Sequence, residues 1–224
     1  MARQLAFELA HRPAFGREDF LVAPSNEAAV ALIDAWPGWP GPVAAISGPA
    51  GSGKTHLAEV WRAASGALLV DAEGLGRADV PALVAARALA VENIGVMTDE
   101  AERTLFHLMN LVKEEGAAML LTSREAPARL AVRLPDLASR LRAVPHAGLG
   151  APDDALLAGV LVKLFDDRQL RVPPALVSYL AQRVERSIAA AREIVAALDR
   201  ASLSGKRPIT VPLAAEVLER AGGE

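Results

Sequence analysis

The sequence predicts an α/β fold, a parallel sheet flanked by helices with a small C-terminal helical unit behind it. Residues 48–55, Gly-Pro-Ala-Gly-Ser-Gly-Lys-Thr, complete the pattern G-x-x-x-x-G-K-[ST] between a short apolar run and an amphipathic stretch. From Phe20 to His146, apolar runs alternate with helical patterns, which is how parallel strands joined by crossover helices read. After Gly148 the strand-like runs stop and helical patterns follow one another.

Taken in order, residues 1–19 hold no period long enough for an element, and Pro13 and Gly16 interrupt them; they read as a tail. Strands are predicted over Val43–Ser47, Ala67–Val70, Ala88–Val91, Ala117–Thr122 and Ala143–Pro145. A helix over Thr55–Ala64 follows the glycine loop, and another over Asp99–Glu115 carries Leu105, Leu108, Met109 and Val112 on one stripe. Trp36 and Trp39, in Ala-Trp-Pro-Gly-Trp-Pro, are expected to anchor a turn against the sheet. Residues 20–148 then form the α/β unit, with Gly148–Pro152 as linker. Residues 149–224 form the helical unit, with helices expected over Asp153–Phe165, Pro174–Val184, Ser187–Ser202 and Leu213–Arg220. Asp153 reads as an N-cap, Pro174 sits near a helix start, and Thr210 precedes the last helix as its cap.

Composition narrows the function classes. A length of 224 residues suits one large domain with a small companion, and 52% apolar content says globular. No run approaches the ~20 apolar residues of a membrane span, and the first residues lack the basic-then-apolar pattern of a signal peptide. With no cysteine, disulfides and thiolate metal sites are excluded, and the cytoplasm is the expected compartment. A net charge of −3, without a Lys/Arg run, argues against a surface devoted to nucleic acid.

The glycine loop carries the chemistry. Gly48, Pro49, Ala50, Gly51, Ser52, Gly53, Lys54 and Thr55 form the loop, whose glycines let backbone N–H groups converge on phosphate oxygens at a helix N-terminus. Lys54 reaches the β- and γ-phosphates, and the Thr55 hydroxyl ligates Mg2+. The third predicted strand ends in Glu92-Asn93, where Glu92 fits the carboxylate that holds magnesium through water. Asn93 stands where an acid would prepare the attacking water; an amide cannot take that proton, so slow or absent hydrolysis is expected. The competing pair Asp99-Glu100 is better explained as acids at a helix N-terminus. Thr122, in Thr-Ser-Arg124, closes the fourth strand where a polar group can sense a γ-phosphate. Arg140 lies just before the last predicted strand, and Arg192 lies mid-helix in the helical unit.

These residues in this order resemble the AAA+ ATPases, and within them the DnaA family of bacterial replication initiators. Phe20-Leu-Val-Ala-Pro-Ser-Asn26 is similar to the DnaA segment beside the adenine, which adds Phe20, Val22 and the loop-flanking His56 to the nucleotide-binding set. Leu105–Leu111 and the sensor 2 helix Ala191–Arg200 are similar to their DnaA counterparts. The chain stops at Glu224, short of the helix-turn-helix module an initiator carries, and the stretch between Val70 and Ala88 is short for an initiator's helical insertion. What remains resembles the Hda branch of regulatory DnaA homologues, above all in Leu-Pro-Asp-Leu-Ala-Ser-Arg-Leu141 and in Asn93.

That resemblance implies a bound ADP or ATP with Mg2+, and DnaA and the DNA polymerase sliding clamp (β subunit) as partners. Gln4, Leu5, Phe7 and Leu9 are similar to the clamp-binding peptide of that branch; in an extended peptide the last three project to one side. Arg140 is implied as an arginine finger acting in trans on DnaA-bound ATP, with repression of re-initiation as the outcome. A self-contained DnaA-like or loader-type ATPase is the alternative, a DNA-binding initiator paralogue is a further one, and self-association is left open.

Overall fold

The computed structural model describes Arg17 and residues 20–221. Five parallel strands form one sheet in the order β2-β3-β4-β1-β5. They are β1 (Val43–Ser47), β2 (Leu68–Asp71), β3 (Ala88–Glu92), β4 (Ala118–Ser123) and β5 (His146–Gly148). Because β1 lies inside the sheet, its five residues are buried on both faces, and alternate side chains serve two cores.

On one face Val43, Ala45, Leu89, Val91, Met119 and Leu121 meet α4 (Asp99–Glu114) through Leu105, Leu108, Met109 and Val112. Helix α3 (Val80–Ala85) and a 3-10 turn over Ala72–Arg77 complete that layer, with α5 (Pro135–Ala143) contributing Leu137 and Leu141. On the other face Ala44, Ile46, Ala90 and Leu120 meet α1 (Glu27–Asp34) and α2 (Lys54–Ser65). Arg17 makes a bidentate pair with Asp34 at the end of α1.

One expectation needs correction. Ala143–Pro145 is not a strand: Ala143 ends α5, and β5 begins at His146. Pro135 opens that helix with its φ already suited, and Leu137 and Leu141, four apart, bury one face. Pro145 has no N–H for a ladder and supplies only its carbonyl, to the Ala45 amide at 2.9 Å. Trp36 and Trp39 belong to the core between α2 and the sheet. Trp39 stacks on Trp61 with centroids 5.4 Å apart, and Trp36 meets the same ring edge-on at 6.0 Å.

The helices after the sheet are α6 (Asp154–Asp167), α7 (Pro174–Ala181), α8 (Ile188–Gly205) and α9 (Val211–Ala221). Asp153 and Ser187 cap α6 and α8 by accepting from Leu156 and Ala190 amides. The four helices share a separate core of Leu157, Leu161, Phe165, Leu176, Leu180, Val195, Leu198 and Leu213. Phe165 is fully buried there. Phe165→Ala should therefore cost about 3–5 kcal/mol, read as a lower urea midpoint, whereas Phe165→Leu should cost much less. Equal, small shifts for both variants would show that this core is not close-packed.

Candidate functional site

The glycine loop leaves β1 at the carboxyl edge of the sheet, where β1 is flanked by strands on both sides. Gly48 N–H donates to Ser123 O of β4, and Leu149 N–H, just beyond β5, donates to Ser47 O. Any Cβ on Gly48 would run into the Leu149 carbonyl oxygen. Beside the loop, Ser47 Oγ and His146 Nε2 share a 2.7 Å hydrogen bond.

Gly51 has φ +71°, and a Cβ there would collide with Ser187 Oγ at the start of α8. Ile188 N–H donates to Gly51 O at 2.8 Å, so the first turn of α8 is docked on the loop. Among the described residues, the N–H groups of Gly51, Gly53, Lys54 and Thr55 find no acceptor, and they cluster at the N-terminus of α2. Four unpaired donors at a helix N-terminus suit an anion. A nucleotide's phosphates fit this cradle.

Lys54 is buried, and its Nζ donates to the carbonyl oxygens of Gly48 and Pro49, 2.8 Å each. Burial holds its ammonium below the usual lysine range; the Arg124 charge lowers it further and the Glu92 carboxylate pulls it back up. Glu92 is thus within electrostatic reach of the loop from the end of β3, while Thr55 is exposed on α2. Arg124, directly after β4, had no motif to single it out beyond its place after Thr122-Ser123.

Asn93 turns the chain after β3 with φ +60°. Its N–H donates to Thr122 Oγ1 at 3.3 Å, and its Nδ2 donates to Asp71 Oδ2 at 2.5 Å. Asp71 ends β2 and pairs in register with Glu92, a cross-strand relation that no local pattern announces.

Phe20 lies edge-on to the His56 ring at 5.3 Å and near Gly53. Buried Asn26 ties this segment by accepting from Ala23 N–H and donating to Leu21 O, both at 2.9 Å. Val22 is left exposed, and Leu21 reaches Gly159 on α6. Arg192 stands in the second turn of α8, not at its middle, and its Nη2 is 3.4 Å from His56 Nδ1. Its guanidinium is held below the usual arginine range by burial and then by the charge of Arg168.

Arg140 lies apart, in the last turn of α5 and half-buried, 4.8 Å over the Phe106 ring. Its segment is helical. The helix is fixed at its start by buried Glu102, whose carboxylate accepts from the Arg133 and Leu134 amides at 2.9–3.1 Å. Gln4, Leu5, Phe7 and Leu9 lie outside the described residues.

A glycine loop after the first strand of this five-strand parallel sheet, with a helical lid docked on the loop, defines an AAA+ P-loop fold. Residues 154–218 match the family model described as the Hda lid domain. Domain III of the replication initiation protein DnaA from Thermotoga maritima superposes with a TM-score of 0.81 at 19% identity, over 93% of this chain and 97% of that one. AMPPCP-bound DnaA from Aquifex aeolicus gives 0.71 at 16% identity, over 88% and 68%. An uncharacterized protein of Haemophilus influenzae is 29% identical over 77% of this chain and 80% of its own. The C-terminal helical unit thus resembles the Hda lid domain, and the chain as a whole has the fold of DnaA domain III. Among the described residues no helix is long and apolar enough to cross a membrane.

Gly51→Ala tests the docking of α8. It adds left-handed strain of about 1–2 kcal/mol and forces Ser187 away, so amide exchange at Ile188 should speed up well before global unfolding. Unchanged protection of Ile188 would mean the loop and α8 are not coupled.

Proposed function

We propose that this chain is a nucleotide-bound regulator of DnaA which, docked on the sliding clamp, stimulates hydrolysis of DnaA-bound ATP and so represses re-initiation. One observation carries the reading: Asn93, tied to Asp71, puts an amide where hydrolysis needs an acid, in a chain with an Hda-type lid. An amide orients water without taking its proton, and a missing general base costs ~10²–10⁴ in rate. Nucleotide is therefore retained rather than turned over, and intrinsic ATPase activity is weak or nil. The same residue disfavours the alternative, a self-contained loader-type ATPase.

In this reading residues 1–19 are the tail with its clamp-binding peptide, 20–148 the nucleotide-binding unit and 149–224 the lid. ADP or ATP lies between loop and lid. Gly48–Thr55 cradle the phosphates, with Lys54 and Arg192 adding positive charge from opposite sides. Phe20, Val22 and His56 line the base side, Thr122 braces Asn93, and Thr55 and Glu92 take Mg2+. When bound, the nucleotide supplies the polyanion that links loop and lid.

Arg140 acts on the partner, not on this site. Its support is positional: a rigid helix anchored by Glu102 carries it, while the chain's own loop is served by Lys54 and Arg192. The test is a reconstituted assay of DnaA-bound ATP with clamp-loaded DNA. Arg140→Ala should keep ADP and clamp binding, lose about 0.5–1 kcal/mol of stability with the Phe106 contact, and fail to stimulate hydrolysis. Arg140→Lys should rescue weakly, since a point charge does not replace a planar fork. Replacing Gln4, Leu5 and Phe7 by Ala should abolish stimulation through lost clamp binding alone. Full stimulation by Arg140→Ala rules the finger out.

Lys54 gives a second check. Its ammonium is held low in the free protein by burial, and bound phosphate raises it, so in the window between those two values binding takes up a proton. ADP affinity should then fall as pH rises through the free-state value. Calorimetry in two buffers of different ionisation enthalpy reads that uptake directly, and Lys54→Ala should abolish both binding and uptake.

A further inference from the structure

Asp71 closes β2 and is held from two sides. Its Oδ1 accepts from the Glu73 N–H at 2.9 Å, which starts the 3-10 turn over Ala72–Arg77, and its Oδ2 accepts from Asn93 Nδ2 at 2.5 Å. The backbone at Asn93 is fixed separately. Its N–H donates to Thr122 Oγ1 on β4, its carbonyl accepts from Val96 N–H at 3.1 Å, and Ile94 N–H donates to Thr122 O at 3.0 Å. A single residue after β3 is thus tied to β4 through its main chain and to β2 through its side-chain amide.

A carboxylate only accepts, so the group of Asn93 that meets Asp71 is its NH2. The planar amide then turns Oδ1 away from Asp71. Both residues are exposed, so the bond adds little to stability; what it sets is direction. Asp71 also pairs in register with Glu92. An acid at position 93 would meet two carboxylates already in place, with no N–H left to bridge it to Asp71. Backbone strain is no obstacle to that acid, because φ is +60° there, a region in which Asp, like Asn, is enriched.

We infer that Asp71 is the positioning residue that keeps this centre inert: it holds the Asn93 amide in one orientation and bars an acid from taking the same pose. The inference rests on the reading above, that Asn93 stands where hydrolysis needs a base. The pair, rather than Asn93 alone, then withholds the reaction. In that reaction a carboxylate takes a proton from water as the water oxygen bonds to the γ-phosphorus. The bond from phosphorus to the bridging oxygen breaks, and its electron pair leaves with ADP. Exchanging the two residues puts the carboxylate at position 93 and an NH2 donor at position 71, so the same hydrogen bond forms with donor and acceptor reversed. The bland role for Asp71 is to cap the 3-10 turn. Asp71→Asn keeps that cap, because its Oδ1 still accepts from Glu73 N–H.

ATP hydrolysis by the full chain, at ATP concentrations that saturate each variant, separates the two roles. Asn93→Asp alone should raise the rate less than about tenfold, whereas Asp71→Asn/Asn93→Asp should raise it ~10²–10⁴-fold, the worth of a general base. If Asp71 only caps the turn, the single variant gains as much as the exchange. Thermal unfolding without nucleotide should show the same coupling, with Asn93→Asp lowering Tm by about 1–3 °C and the exchange restoring it. Heteronuclear NMR of the ligand-free chain reads the amide directly. A side-chain amide proton of Asn93, identified by its loss in Asn93→Asp, should stand downfield in wild type and lose that offset in Asp71→Asn. A full gain in Asn93→Asp alone, no gain in the exchange, or unmoved Asn93 signals in Asp71→Asn overturns the inference. Failure of the wild-type chain to bind ADP, or a wild-type rate already equal to that of the exchange, overturns the reading beneath it and the inference with it.

Discussion

The structure turns on a stretch of backbone that has to lie bare. Between β1 and α2 the chain must offer N–H groups outward while two other segments press on it from behind. At Gly48 the pressing group is the Leu149 carbonyl, and at Gly51 it is the Ser187 side chain. Neither position has room for a methyl group. The sheet order supplies the approach: with β1 between β4 and β5, the ends of both neighbours arrive at the loop and bond to it. Through Ile188 the loop is also bonded to α8, so whatever the loop holds is felt by the helical lid.

Charge at this junction runs against the chain as a whole. The sequence carries a net −3, yet Lys54 feels Arg124 as well as Glu92, and Arg192 approaches the same loop at His56. Cations beside unpaired loop amides suit an anion. That charge is local, so a whole-chain value that argues against broad nucleic-acid wrapping says nothing against a phosphate site. Lys54 is itself buried, and its ammonium donates to two loop carbonyls.

Legibility in the sequence followed the range of the interaction. The loop, its flanking strand and helix, and the cap Asp153 are set by residues within a few positions of each other, and all could be read. The helical unit after the sheet was legible because its helices carry apolar stripes that meet in one core. The fifth strand was misread because Ala143-Val-Pro145 looks apolar and extended, whereas Leu137 and Leu141 decide for helix from upstream. Pairings across the fold left no local mark. Asp71 with Asn93, and Glu102 with the Arg133 and Leu134 amides, join residues 22 and 31–32 positions apart. Each is a long-range meeting of polar groups that singly read as surface.

Glu102 shows what such a pairing can do for a neighbouring function. A carboxylate buried in α4 accepts both backbone amides that lead into α5, so the helix carrying Arg140 has a fixed start independent of the glycine loop. Phe106, one turn further along α4, then holds the guanidinium from below. Rigid support lowers the entropy that a partner contact must overcome. The hold is also weak enough to release: a ring contact of about 0.5–1 kcal/mol is small beside the ~10³–10⁵ in rate, or roughly 4–7 kcal/mol, that a guanidinium can return at a transferring phosphate. On the proposed reading, the chain's own centre can be inert through Asn93 while the helix beside it stays ready to act elsewhere. The two are separable because one hangs on β3 and the other on α4.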